Sequence, residues 1–199
     1  MKNFWDDRYA EKDLAYGRNP NTFFAEQIGQ LRPGKILLPC EGEGRNAVYA
    51  AKKGWEVEGF DLSIVGMNKA TAYAHESSVH INYQIADVID VYYPENTFDA
   101  VGLIYAHFPP EIRKIFHEKT IKWLKTGGAL ILEAFNPLQI NNSSGGPKDL
   151  SSLYSAEMLT GDFKTLKVQL LTEAAIVLDE GKYHQGKADV IRFAGIKRE

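Results

Sequence analysis

A turn reading Glu41-Gly42-Glu43-Gly44-Arg45-Asn46-Ala47 follows a short apolar run, and Asp61 closes the next such run. Two glycines one residue apart let the chain turn tightly and let a ligand approach the backbone, with Ala47 in the third small position. An acidic side chain one strand-helix unit later accepts hydrogen bonds from both hydroxyls of a ribose. The chemistry served by such a pair is the binding of an adenosyl group; the plainer alternative is a glycine turn needed only to reverse the chain. The carboxylates inside the turn narrow the choice of ligand. Glu41 and Glu43 stand where a dinucleotide would lay its anionic pyrophosphate, an unfavourable like-charge contact, whereas a cationic sulfonium and an ammonium group suit the turn. Asp87, in Ala86-Asp87-Val88, is placed to accept from an adenine amino group, although a loop aspartate or helix cap has the same appearance.

Three side chains are candidates for moving a proton. His107 follows the fourth apolar run, Glu133 lies inside the fifth, and His184 sits in a glycine-flanked turn near the carboxyl end. In an open α/β sheet, ligands collect outside the carboxyl ends of the parallel strands. If the sixth strand runs parallel to the others, all three residues converge on that rim. His107 or His184 then removes a proton and Glu133 orients the imidazole. Each has an ordinary alternative: His107 as a cap for the helix after Pro109, His184 as a solvent-exposed turn residue. An isolated carboxylate in an apolar strand is costly, so Glu133 needs a partner or a polar cleft. Two histidines and a carboxylate can also ligate a metal, but no close ligand pair on one helical turn supports that, and no metal is expected. Trp5, Tyr9 and Tyr16 offer aromatic faces for a lid over a sulfonium or an apolar acceptor, or simply pack.

The elements that must hold these groups alternate strand and helix, the pattern of a parallel sheet covered on both faces. Strands are expected at 35–39, 55–60, 81–85, 98–105 and 129–135. Helices are expected at 45–53, from Ser63 onward, at 109–125 with Gly127-Gly128 as its stop, and over 149–160. Two long β runs, 167–178 and 188–197, are joined by the short turn 179–187 and must pair antiparallel. The fold class is therefore α/β, a Rossmann-like seven-stranded, mostly parallel sheet with helices on both faces and a C-terminal antiparallel β-hairpin. One domain spans 1–199, with 1–30 as an N-terminal helical lid.

Composition bounds the partners. The 199 residues carry a formal charge of −3 and are 44% hydrophobic, which suits one globular domain and argues against nucleic acid, whose binding usually leaves a basic stripe. The single Cys40 excludes a disulfide framework. No apolar run approaches the roughly 20 residues that span a bilayer, and the first residues lack the apolar stretch of a secretory signal, so no membrane and a cytoplasmic location are expected. A small molecule is the expected partner; oligomeric state is not legible.

The motifs together resemble the class I S-adenosylmethionine-dependent methyltransferases: Leu37 to Val48 around the glycine turn, Gly59-Phe60-Asp61-Leu62-Ser63, Ala86-Asp87, Leu124 to Gly128 and Leu132-Glu133. Phe4-Trp5-Asp6-Asp7-Arg8-Tyr9, Tyr16-Gly17, Pro20-Asn21 and the closing Glu180 to Gly186 are similar to the tellurite-resistance and thiopurine methyltransferase branch. The resemblance implies S-adenosylmethionine as cofactor, S-adenosylhomocysteine as product, and a small acceptor such as a thiol or a chalcogen oxyanion like tellurite. It implies that Gly42 and Gly44 line the cofactor, Asp61 binds its ribose, Asp87 and Val88 contact adenine, and Tyr105 lies near the methionine portion. Tyr16, Glu41, Asn46 and Leu62 complete that set. Two positions depart from the commonest pattern: Leu38 replaces a frequent aspartate, and Cys40 replaces the first glycine. An NAD(P)-linked oxidoreductase and a cofactor-binding protein without turnover are the competing functions.

Overall fold

The computed structural model describes residues 2–198. Helices α1 (Lys2–Tyr9) and α2 (Thr22–Ile28) precede β1 (Lys35–Pro39), α3 (Arg45–Lys52), β2 (Glu56–Asp61), α4 (Ile64–Glu76) and β3 (Asn82–Ile85). Then come β4 (Phe98–Ile104), α5 (Pro110–Trp123), β5 (Leu124–Phe135), α6 (Ala156–Asp162), β6 (Leu166–Asp179) and β7 (Gln185–Lys197). The seven strands form one sheet in the order β3-β2-β1-β4-β5-β7-β6.

Side chains alternate across a strand, and the apolar runs use both faces. Leu37, Val101, Leu130 and Leu132 point to one side and meet Phe116 and Trp123 of α5, Leu159 of α6 and Phe163 at its C-cap. Ile36, Leu38, Ala100 and Ile131 point to the other, against Phe24 and Ile28 of α2, Ala47 and Val48 of α3, and Ala70 and Ala74 of α4. The helix starts follow from their caps. Asn21 accepts from the Phe24 N–H at 2.9 Å to open α2, Ser63 accepts from the Gly66 N–H at 3.0 Å to open α4, and Pro110 stands in the first turn of α5, where its missing N–H costs nothing.

The chain leaves β1 towards β2 and β3 on one side, then returns to β4 on the other. The carboxyl ends of β1 and β4 therefore flank the switch point where ligands collect. β7 is antiparallel to both β5 and β6. β6 accordingly runs with the parallel strands, and its turn opens on the same rim as they do, as the sequence requires for His184 to reach the site.

Some boundaries differ from the sequence expectation. The helix expected to reach residue 125 ends at Trp123, and Leu124 already pairs with Phe98 of β4. Gly127 and Gly128 are thus not a helix stop; they lie in β5 beside the irregularity between Phe98 and Ala100. The 149–160 stretch is a single 3-10 turn, Leu150–Ser152, followed by α6. Residues 1–30 divide in two. α2 buries Phe23, Phe24 and Ile28 in the core, so only α1 and the segment up to about residue 19 lie over the rim.

Candidate active site

The turn after β1 is held by carboxylates. Glu41 accepts from the backbone N–H groups of Asn46 and Ala47 at 2.8 and 2.7 Å, capping α3, whose cap residue Gly44 has no side chain to do so. Asp61, at the end of β2, accepts from the Gly42 N–H at 3.1 Å and the Ser63 N–H at 2.9 Å. These two residues order the loop in place of the aspartate that Leu38 displaces; Leu38 is itself fully buried in the core. Cys40 adopts the left-handed backbone (φ 54°) that a first glycine would take freely, a strain of about 1–3 kcal/mol. Burial pushes its thiol well above the usual range, so it is a neutral wall of the site. Gly42 and Gly44 also have positive φ, and a Cβ on Gly42 would stand 2.5 Å from the Tyr9 hydroxyl.

Burial raises the Glu41 carboxyl to about 7, against the hydrogen bonds from Ala47 and Asn46. A group whose folded pKa lies above its unfolded value contributes stability that is complete below the unfolded pKa and is lost as pH rises through the folded one. Glu41→Gln should therefore gain stability relative to wild type between pH 4.5 and 7, by at most about 3 kcal/mol at 1.36 kcal/mol per unit. Urea melts of both proteins at pH 4.5 and 8 check this; equal differences at the two pH values refute it.

The amino-terminal segment closes over the loop. The Ser63 hydroxyl donates to Asp6 at 2.5 Å, the Ala15 N–H donates to Glu43 at 2.6 Å, and Lys69 binds Glu43 at 2.9 Å. Tyr9 is buried against Gly42 and Gly66. Glu11 accepts from Lys182 and Tyr183 of the β6–β7 turn, tying the lid to the hairpin as well.

A cleft of about 300 Å³ lies beneath this lid, within the size range of small-ligand sites. Tyr16, Glu41, Gly42, Asn46, Tyr105, His107 and His184 line it, as do Trp5, Tyr9, Phe135 and Pro147. Gly44 is packed behind the loop against Ala70. Asp61, Leu62, Asp87 and Val88 lie at and beyond the ends of β2 and β3, further along the same rim, and do not line this cleft. Val88 is in the core, and the Asp87 carboxylate accepts from the Ile89 N–H at 2.9 Å in its own turn.

The three proton-transfer candidates meet different fates. His184 is 5% exposed, not a solvent-facing turn residue. Its Nδ1 lies 3.2 Å from Glu180, and its ring packs against Tyr16, Tyr105 and Phe135. Burial lowers its pKa, so the ring is neutral at pH 7; with Nδ1–H given to Glu180, Nε2 is an acceptor without a hydrogen-bond partner among the described residues.

His107 also lines the cleft, but its expected role as base is corrected by its bonds. Nδ1 lies 2.7 Å from the Ser152 carbonyl and Nε2 accepts from the Phe135 N–H at 3.1 Å. Both nitrogens are spent on backbone, and burial pushes the pKa down to about 4. It pins the 149–152 turn to the end of β5; it does not cap α5.

Glu133 is likewise corrected: it orients no imidazole. It has the partners a buried carboxylate needs, accepting from Asn21 at 2.5 Å, the Tyr105 hydroxyl at 2.8 Å and Arg192 Nε at 2.5 Å. The carboxylate that serves His184 is Glu180, which also binds Arg45 Nη2 at 2.9 Å. Burial opposes ionisation of Glu180, yet the bonds from His184 and Arg45 hold its pKa below the usual value. Asn21 donates to Glu133 and, at 3.5 Å, to Glu180, linking the two carboxylates. Among the described residues no group of three or more His, Cys, Asp or Glu side chains is placed to hold a metal ion.

A glycine turn bearing Glu41 and Glu43 and aromatic walls line the cleft, and the buried Asp61 stands at the adjoining strand end, an arrangement that suits a sulfonium nucleoside. The methyltransferase domain family matches residues 36–128, from β1 into β5. Phosphoethanolamine N-methyltransferase 1 of Arabidopsis thaliana is 28% identical over 118 residues, which are 56% of this chain and 23% of that protein. The chain spans less than a quarter of the length of the plant phosphoethanolamine N-methyltransferases it matches. Thiopurine S-methyltransferase of Legionella pneumophila (strain Corby) is 22% identical over 175 residues, 75% of this chain and 76% of that protein. The fold superposes with a TM-score of 0.80, at 17% identity and covering 100% of this chain and 92% of the other, on a structure solved for the conversion of a disulfide bond into a thioacetal group during echinomycin biosynthesis. With the glycine turn, the acidic strand ends and the closing hairpin all in place, the chain matches the methyltransferase domain family over residues 36–128 and resembles the class I S-adenosylmethionine-dependent methyltransferases and, within them, the thiopurine branch.

Proposed function

We propose that this protein transfers the methyl group of S-adenosylmethionine to the sulfur of a small thiol, with His184 receiving the thiol proton. The observation that carries the reading is the Glu180–His184 pair, which leaves a neutral Nε2 on the cleft wall. The relatives add weight on the acceptor side: one is a thiopurine S-methyltransferase, and one structure concerns a disulfide converted to a thioacetal.

When bound, S-adenosylmethionine supplies an activated sulfonium methyl group, so the protein has chiefly to align, dry and deprotonate. Tyr16, Tyr105 and Phe135 pack around His184 and keep water from its ring. Nε2 takes the proton from the acceptor, and Glu180 steadies the imidazolium that forms, itself fixed by Arg45. Tellurite needs no base, so the buried imidazole favours a protonated acceptor over a chalcogen oxyanion. An NAD(P)-linked oxidoreductase would have to lay its pyrophosphate beside Glu41 and Glu43. A binding protein without turnover would not need an acceptor cavity reaching His184. No described helix is long and apolar enough to cross a membrane, and a cytoplasmic setting, where thiols stay reduced, suits the acceptor.

The test is an acceptor panel of aliphatic and aromatic thiols, phosphoethanolamine and tellurite, with methylated product measured by mass spectrometry. Thiols should turn over, with kcat rising as His184 loses its proton, below the ordinary imidazole value of 6.5, and level above it. Turnover of phosphoethanolamine or tellurite with no thiol accepted contradicts the reading.

A further inference from the structure

The loop between the 3-10 turns Pro137–Asn141 and Leu150–Ser152 lies flat on two rings of the cleft. A Cβ on Gly145 would stand 2.7 Å from Cδ2 and 3.1 Å from Nε2 of His184, and one on Gly146 would stand 2.6 Å from Cδ2 of Phe135. A side chain at either position would collide with a ring, and both glycines also hold positive φ, 123° and 84°. Gly146 and Pro147 then line the cleft beside His107 and Phe135. The space next to Nε2, where a thiol sulfur must come to give up its proton, is therefore bounded by this loop.

The loop is braced from behind. Gln139 is fully buried. Its Nε2 donates to the Gly145 carbonyl and to the Ser144 hydroxyl, both at 3.0 Å, and its Oε1 accepts from Asn142 at 3.0 Å and from the Asp189 N–H at 2.8 Å. Those four bonds use both donors and both lone pairs of the side-chain amide. Ser144 in turn donates to the Lys187 carbonyl of β7 at 2.5 Å, and the bond between His107 and the Ser152 carbonyl holds the far end. A buried polar network with every member satisfied is stiff. A wall fixed in this way does not give way to a wide ligand.

We propose that residues 144–147 are the wall that selects the acceptor, and that Gln139 is the positioning residue that holds it. Slender thiols fit beside His184, and thiols with bulk next to the sulfur are refused. The proposal rests on the thiol reading of the cleft.

Calorimetry on the protein loaded with S-adenosylhomocysteine compares thiophenol with 2,6-dimethylthiophenol, which adds two methyl groups flanking the sulfur. Wild type should bind thiophenol tighter by about tenfold or more, the usual effect of a surplus carbon in a shaped pocket. Gln139→Ala should cut that preference below about threefold. So should Pro147→Ala, which trims the wall without touching the buried brace. Gln139→Glu separates positioning from folding: its carboxylate cannot donate to the Gly145 carbonyl, whereas the protonated acid regains an O–H donor. Its preference should therefore climb back towards the wild-type value as pH falls. Wild type without a preference, variants that keep it in full, or a loss in Gln139→Glu that acid does not reverse overturns the wall. Mass spectrometry of methylated thiophenol reads the reaction separately. Thiols bound with this preference but never methylated would remove the thiol reaction and leave the wall standing, and wild type that binds neither thiol overturns both.

Discussion

His184→Asn should lower kcat for a thiol by about 10²–10⁴-fold, the usual worth of a general base, while changing the affinity for S-adenosylhomocysteine by less than about threefold. The argument rests on what asparagine keeps and loses. Its amide still donates to Glu180, so the Arg45–Glu180 pair and the packing of Tyr16 survive, but it offers no nitrogen lone pair to a thiol proton. The loss should shrink as the acceptor thiol becomes more acidic, because an acceptor that arrives ionised needs no base. Glu180→Gln gives a companion signature. The Glu180 hydrogen bond and charge raise the His184 pKa against burial; removing them should move the rising limb of the pH profile to lower pH and reduce kcat. A histidine serving only to fill space would leave the pH profile unmoved.

Asp61→Ala should weaken S-adenosylmethionine by at least about 100-fold. Two ribose hydroxyls donating to one carboxylate make charge-assisted hydrogen bonds of about 1.5–3 kcal/mol each. Asp61 is also what holds the Gly42 N–H, so its loss loosens the turn that forms the cofactor cradle. The lid adds a structural consequence: α1 is tied to the start of α4 by the Asp6–Ser63 bond, two residues beyond Asp61. Ser63→Ala, which releases that tie, should speed both association and dissociation of the cofactor. Unchanged affinity in Asp61→Ala would remove the ribose site from this strand end.

The fold was legible because its signals are local. Buried apolar runs, the Ser63 cap, the positive-φ glycines and the closing hairpin each follow from neighbouring residues, and together they allow few topologies. The helix stop was misplaced because Gly127-Gly128 is as good a signal for a strand irregularity as for a C-cap, and only the pairing of Leu124 with Phe98 decides between them. The site was legible in part. Glu133 was identified as a carboxylate that needed a partner and His184 as a candidate base, but the contacts that decide both are tertiary and spacing does not show them: Arg192 and Asn21 for Glu133, and the Arg45 that fixes Glu180 beside His184. One local signal was available, the four-residue interval from Glu180 to His184 within a single turn. His107 illustrates the reverse case. A histidine at a strand end reads as catalytic until the backbone groups of Ser152 and Phe135 are seen to occupy both its nitrogens.

The most direct test is a parallel calorimetric titration of the purified protein with S-adenosylmethionine, S-adenosylhomocysteine, NAD and NADP. The carboxylates of the β1 turn and the lid over Gly42 predict saturable one-site binding of the two sulfur nucleotides and none of the dinucleotides. Preferential binding of NAD or NADP, or no binding of either sulfur nucleotide, would contradict it.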